Sequence, residues 1–125
     1  MSTRYVGVSV ARFDAFLKVA GQAQYASDFR VPGMLHVRLV RSPYPHARIR
    51  AVRTADALTV PGVVAVVSGE DITDLPDPFY GPAFKDQRLL PLDEVRYEGE
   101  AVAAVVAESE PAAEEGARQV TVEYE

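Results

Sequence analysis

The chain has 125 residues, 48% of them hydrophobic, which suits one globular domain with a modest core and is too little for two. Its 13 basic and 18 acidic residues give a formal charge of −5, which argues against a general nucleic-acid or anionic-membrane binder. With no cysteine, disulfides, thiolate nucleophiles, iron–sulfur ligation and cysteine-based zinc sites are excluded together.

The charge is unevenly spread. In residues 1–53, Arg4, Arg12, Lys18, Arg30, Arg38, Arg41, Arg48, Arg50 and Arg53 outnumber Asp14 and Asp28, leaving +7 there and −12 in the remainder. Nothing before Arg12 forms the apolar core and small-residue cleavage site of a signal peptide. No window approaches the roughly 18 apolar residues of a membrane span. The expectation is a cytoplasmic protein with no membrane partner.

Residues 1–31 are polar and weakly periodic and read as an extended lead-in to a single domain over residues 32–125. Pro32-Gly33 signals a type II turn. A strand follows from Met34 to Val40, with Leu35, Val37 and Leu39 on one side and His36 and Arg38 on the other, the period of a half-buried strand. The prolines of Ser42-Pro43-Tyr44-Pro45 stop it. A second extended segment spans His46 to Arg53, after which Thr54 can cap a short helix over Ala55–Leu58 before the Pro61-Gly62 turn. Val63 to Val67 is a continuous β-branched and small run, the pattern of a strand covered on both faces. From Ile72 to Pro91 no period fits, and Pro76, Pro78, Pro82 and Pro91 mark a long loop, a kind of segment that is usually functional or disordered.

The last third is more regular. Val95-Arg96-Tyr97 reads as a short strand, Glu98-Gly99-Glu100 as a turn and Ala101–Ala107 as a second fully apolar strand. Ser109 caps a helix with Pro111 in its first turn and acidic residues near its positive end, and Thr121–Tyr124 forms the final strand. Strand, helix and strand at this spacing predict a β-α-β unit within an α+β fold of few short helices and a mixed sheet.

Self-contained chemistry is poorly supported. His36 and His46 lie ten residues apart without metal-ligand spacing and read as structural or surface histidines. Ser42 and His46 lack a nucleophile elbow or an orienting acid. Asp93-Glu94 and Glu114-Glu115 read as solvated faces, since sequence neighbours point to different sides of an element. No phosphate-cradling glycine motif is present. Arg38, Arg48 and Arg50 could recognise phosphate or carboxylate, or pair with the acidic second part of the chain or with a partner. Phe79, Tyr80 and Phe84 place three aromatics in six residues of the long loop, either pinning it or offering a surface.

Seven phrases in order carry a resemblance: KVAGQAQYASD (Lys18–Asp28), PGMLH (Pro32–His36), RSPYPHARI (Arg41–Ile49), PGVVAV (Pro61–Val66), EDI (Glu70–Ile72), VRYEGEAVA (Val95–Ala103) and VTVEYE (Val120–Glu125). Together they resemble the N-terminal α/β-hammerhead domain of the molybdopterin-binding large subunit of the xanthine dehydrogenase and aldehyde oxidase family, from about Arg12 to the last residue. The resemblance implies a hammerhead fold and a part in a molybdenum hydroxylase, which oxidises an aldehyde or a carbon next to a ring nitrogen with oxygen from water. In that family the residues that hold the pterin and act on substrate lie in the large domains after the hammerhead. The resemblance therefore implies no catalytic, cofactor-binding or metal residue here, and a chain inactive alone. Molybdenum–molybdopterin would sit in the parent enzyme, with 2Fe–2S and FAD on other domains or subunits as partners. It also makes Phe79, Tyr80 and Phe84 candidates for a substrate-channel wall, and Arg38, Arg48 and Arg50 candidates for docking. The competing expectations are a stand-alone small-ligand or protein-binding module and, through the same arginines, a phosphate or RNA binder.

Overall fold

Turn-forming residues cut the chain into short elements. Both Pro-Gly turns hold their glycine at positive φ, +74° at Gly33 and +87° at Gly62, where a side chain would be strained. The computed structural model describes residues 6–7 and 9–125; Arg4, counted in the basic first part, lies outside them. The chain divides into two compact units, residues 1–32 and 33–125.

In the first unit, the stretch read as extended contains a helical turn, α1 (Ala15–Val19), and a 3-10 turn over Ala26–Asp28. Local charge explains the helix: Lys18 pairs with Asp14 at 2.6 Å, one turn back, and Arg12 also pairs with Asp14. Both cations hold the Asp14 carboxyl below its ordinary range, Arg12 first. None of this unit's described residues is buried.

The second unit contains β1 (His36–Arg41), β2 (Ala47–Arg53), α2 (Ala55–Leu58), β3 (Val63–Ser68), β4 (Phe79–Tyr80), β5 (Gln87–Arg88), β6 (Glu94–Val95), β7 (Ala101–Ala107), α3 (Glu110–Gln119) and β8 (Thr121–Tyr124). Among the described residues these strands form two three-stranded sheets, ordered β1-β7-β3 and β6-β2-β8, and a ribbon of β4 and β5. All of these pairings are antiparallel.

The predicted strand–helix–strand order over 101–124 is present, but β7 and β8 belong to different sheets, so they do not form the β-α-β unit of one mixed sheet. Instead β8 pairs with β2, far back in the chain, through Ile49↔Tyr124 and Val52↔Val122. Helix α3 starts as its sequence predicts: the Ser109 hydroxyl accepts from the Ala112 N–H at 3.3 Å, with Pro111 in the first turn. Thr54, by contrast, makes no side-chain cap on α2, and its carbonyl accepts from Leu58 N–H at 3.2 Å instead.

Packing follows from small residues. Ala57, Ala103, Val105 and Val120 are buried with Val63, Val66 and Ala117 around them, which seats α3 on one face of the first sheet. Gly116 makes the close approach possible, since a Cβ there would stand 2.8 Å from side-chain carbons of both Val105 and Val63. A second cluster of Ala47, Val95 and Val102 packs with Ile49 and Tyr124. Val52 and Val122 touch both clusters and join the two sheets.

The corner between β1 and β2 is structural. Ser42, only 3% exposed, exchanges hydrogen bonds with Tyr44: its hydroxyl donates to the Tyr44 carbonyl at 3.1 Å and accepts from the Tyr44 N–H at 3.0 Å. Arg41 donates to the Gly99 carbonyl at 2.7 Å. Tyr44 meets Tyr124 edge-on, ring centroids 5.1 Å apart.

Candidate functional site

The long segment after β3 is the place where the fold departs from regular sheet, and its residues hold it in place step by step. Asp71 accepts two bonds from Ser68, from the N–H at 2.7 Å and from the hydroxyl at 2.8 Å. These bonds, the backbone one first, pull the Asp71 carboxyl below its ordinary range. Gly69 lies against the far end of the same loop: a Cβ there would stand 2.3 Å from the Pro91 carbonyl oxygen. Only glycine fits that contact.

Between these anchors the segment read as a loop without period contains the β4–β5 ribbon, with Phe79 opposite Arg88 and Tyr80 opposite Gln87. The Leu89 N–H donates to the Pro78 carbonyl at 3.0 Å and extends it. Its return holds Gly81 so close to Phe84 that a Cβ would stand 1.8 Å from the Phe84 carbonyl oxygen. Lys85 pairs with Asp77 across the base of this return and holds that carboxyl low. The Arg88 guanidinium lies over the Phe79 ring, 4.9 Å from its centroid, a cation–π contact that fixes the ring's face.

The ribbon closes one side of an open cleft of about 270 Å³. Phe79, Pro91, Leu92 and Tyr97 supply its apolar wall, and Asp86, Arg88, Asp93, Glu94, Arg96 and Glu100 its charged rim. Arg96 organises that rim: its side chain donates to Glu94 at 3.2 Å, and its backbone N–H donates to the Glu100 carboxylate at 2.6 Å. His46 reaches the other oxygen of Glu94 at 3.4 Å. His46 first and Arg96 second hold the Glu94 carboxyl below its ordinary range. Burial, with the neighbouring Tyr80 and Glu100 behind it, pushes the Tyr97 hydroxyl up. A second groove, also about 270 Å³, runs past Arg48, Ile49 and Arg50 and shares Asp93 and Glu94 with the first.

Of the three loop aromatics, Phe79 lines the cleft, Tyr80 meets Tyr97 behind it and Phe84 stands 79% exposed at the ribbon's tip. The three arginines are not brought together. Arg48 and Arg50 flank the second groove on β2, while Arg38 is on β1 in the other sheet. Arg50 is also engaged within the chain, by an ion pair with Glu125. Asp93 and Glu94, read as a solvated face, line both depressions, whereas Glu114 and Glu115 pair with Arg118 on the surface of α3.

Sequence reasoning does not single out Arg88, Arg96, Tyr97 or Glu100 as site residues, although the last three lie in the phrase Val95–Ala103 that carries the resemblance. The Gly81-Pro82 dipeptide between an aromatic pair and a polar pair is the available hairpin signal.

Donors for a metal or pterin are lacking in this arrangement. Among the described residues no three His, Asp or Glu side chains converge on one point, and the cleft sets four carboxylates against two guanidinium groups, the wrong balance for a phosphate-bearing group. The residues present do not fit such a cofactor. They make a wall: a fixed aromatic face with a charged rim.

Residues 20–125 match the family model described as "Aldehyde oxidase and xanthine dehydrogenase, a/b hammerhead domain". The chain is 43% identical over 116 residues to a probable xanthine dehydrogenase subunit of Bacillus subtilis (strain 168), covering 93% of this chain and 15% of that one. It is 38% identical over 122 residues to the xanthine dehydrogenase molybdenum-binding subunit of Escherichia coli O157:H7, covering 91% of this chain and 16% of that protein. The crystal structure of quinoline 2-oxidoreductase from Pseudomonas putida 86 superposes with a TM-score of 0.83 at 39% identity, over 95% of this chain and 16% of that one. The chain thus spans about one-sixth of the relatives it matches.

Proposed function

We propose a function from one premise: the chain belongs to the aldehyde oxidase and xanthine dehydrogenase family, whose a/b hammerhead domain it forms. It serves as the hammerhead portion of a molybdenum hydroxylase acting in the cytoplasm, contributing structure and one wall of the approach to the reacting centre, and is inactive by itself. The observation that carries this is the family match over residues 20–125, on a chain whose described residues offer no cluster of metal ligands. The cofactor, when bound in the rest of the enzyme, supplies the oxidation. This chain supplies position and exclusion of water.

Phe79 is the wall residue best supported, because Arg88 locks its ring at the mouth of the cleft. Tyr80 supports Tyr97 behind it, and Phe84 extends the same wall outward. Arg48, which has no side-chain partner among the described residues, is the docking arginine that remains available, with Arg38 on the other sheet; Arg50 is engaged by Glu125. The partners are the molybdopterin-binding portion of the enzyme and polypeptides or domains carrying 2Fe–2S and FAD.

The test compares the purified chain with the holoprotein obtained through a tag on it. Molybdenum analysis and dye-linked hydroxylation of aldehydes and nitrogen heterocycles should give both metal and activity in the holoprotein and neither in the chain alone. Stoichiometric molybdenum in the isolated chain would overturn the proposal.

A further inference from the structure

Within residues 33–125 the first sheet carries an apolar face on which no helix packs, half-buried on β7 and β3 and exposed along β1. Cross-strand partners lie on the same face of a sheet, and the register sets two rows across β1, β7 and β3: Val37, Val106 and Ala65, then Leu39, Ala104 and Val67. All six are apolar. Val37 is 59% and Leu39 40% exposed, and none of the six belongs to either buried cluster.

On the opposite face of β7, Val105 and Ala103 are fully buried in the cluster that includes Ala117 of α3. An antiparallel sheet with one face in water ordinarily carries polar residues there. β3 and β7 instead have the sequence of strands covered on both faces, while a helix packs on one. Contiguous apolar patches on a finished surface mark contacts with another polypeptide.

Resting on the hammerhead reading above, we propose that this face, opposite α3, is the seat of the large molybdenum-binding portion of the enzyme. Two observations select that occupant. The face has no charged side chain in either row, so it fits a preformed apolar protein surface and not a nucleic acid or an anionic ligand. The chain also spans only 15% of its Bacillus subtilis relative, so most of that protein's length lies outside the hammerhead and is available to cover it. The charged surface of α3, with Glu114, Glu115 and Arg118 already paired to one another, is satisfied in water and is the poorer candidate.

The absence of cysteine makes the test direct. Val37→Cys, Leu39→Cys and, as a control on the outer surface of α3, Glu115→Cys each introduce one thiol into the chain at an exposed position. Alkylation at each is followed by mass spectrometry of the peptide that carries it, in the isolated chain and in the molybdenum-containing holoprotein purified through a tag on the chain. In the isolated chain all three thiols should react readily. In the holoprotein the thiols at 37 and 39 should slow by about tenfold or more, because a packed thiol reacts only through rare openings, while that at 115 stays fast.

Fast reaction at 37 and 39 in a molybdenum-containing holoprotein overturns the proposed face and leaves the hammerhead function standing. Slow reaction at 37 in the isolated chain at every concentration shows an occupant within the chain, and slowing that grows with its concentration shows a second copy; either overturns the proposal. If no molybdenum-containing protein is recovered, the functional reading fails, and this inference with it.

Discussion

The two three-stranded sheets are alike in size and opposite in finish. In the β6-β2-β8 sheet, Ala47, Ile49 and Val52 on β2 and Val122 and Tyr124 on β8 turn to the core, while Arg48, Arg50, Arg53 and Glu123 alternate with them in water. Two of those arginines are answered from the neighbouring strand and its end, Arg53 by Glu123 on β8 and Arg50 by Glu125 just past it. The β1-β7-β3 sheet has no such division. Its central strand, Ala101–Ala107, is apolar throughout, and within residues 33–125 no helix packs on one of its faces. The difference teaches that a sheet's composition records its final surroundings, including surfaces that its own domain does not provide.

The largest expected effect tests that contrast within the unfinished sheet. Val105 is fully buried under α3, and Val105→Ala should cost about 2 kcal/mol, from lost transfer energy plus the cavity left behind. Val37, 59% exposed on the other face, should change the stability of the isolated chain by no more than about 0.5 kcal/mol when replaced by alanine. Urea midpoints of the two variants against the parent measure both. Equal costs would mean that the open face is covered within the chain, and the contrast would be lost.

A smaller effect lies where the first sheet passes its last strand into the cleft loop. Asp71 holds the end of β3 through Ser68, and its folded-state pKa lies below the ordinary aspartate value. The stability this adds is complete above the unfolded pKa of about 3.9 and is lost as pH falls through the lower folded value. Asp71→Asn should therefore destabilise at neutral pH by less than about 1 kcal/mol, since the residue is exposed and the interaction is screened. The gap from the parent should close on acidification through that range, as read from thermal melts across a pH series. A gap that persists in acid would place the contribution in shape and not in charge.

How much of this is legible in the sequence depends on the range of the interaction. Ala101–Ala107 and Thr121–Tyr124 stand where their residues predict, because an apolar run and a Ser109 cap are local signals. Alternation at Leu35, Val37 and Leu39 is also visible, but a period of two says only that a strand has two faces. An apolar side is ordinarily the buried one, yet α3 packs on the face of Val40 and Val105. The β-α-β expectation fails for a similar reason, since the partner of β8 lies some 70 residues back in β2. The cleft is half legible: three aromatics mark its loop, but Arg88, Arg96 and Glu100 meet only after the ribbon folds. The Arg50 pairing with Glu125 follows in kind from the sequence, as basic first part against acidic second part, and not in detail.

The smallest effect concerns the finished sheet. Arg53 and Glu123 form a cross-strand ion pair on neighbouring β2 and β8, with both side chains about half or more exposed. In that setting Coulomb attraction is weak, and holding two long side chains together costs rotamer freedom. A double-mutant cycle of Arg53→Ala and Glu123→Ala should thus give a coupling below about 0.5 kcal/mol. Raising salt toward about 1 M, where the screening length falls to about 3 Å, should erase it. The pair is then there for order more than for stability: opposite charges on facing strands favour this register over a one-residue slip, which would turn Arg53 inward and Val52 outward. A coupling well above about 1 kcal/mol that survives salt would mean the pair is shielded from solvent, and the second sheet would be no more finished in water than the first.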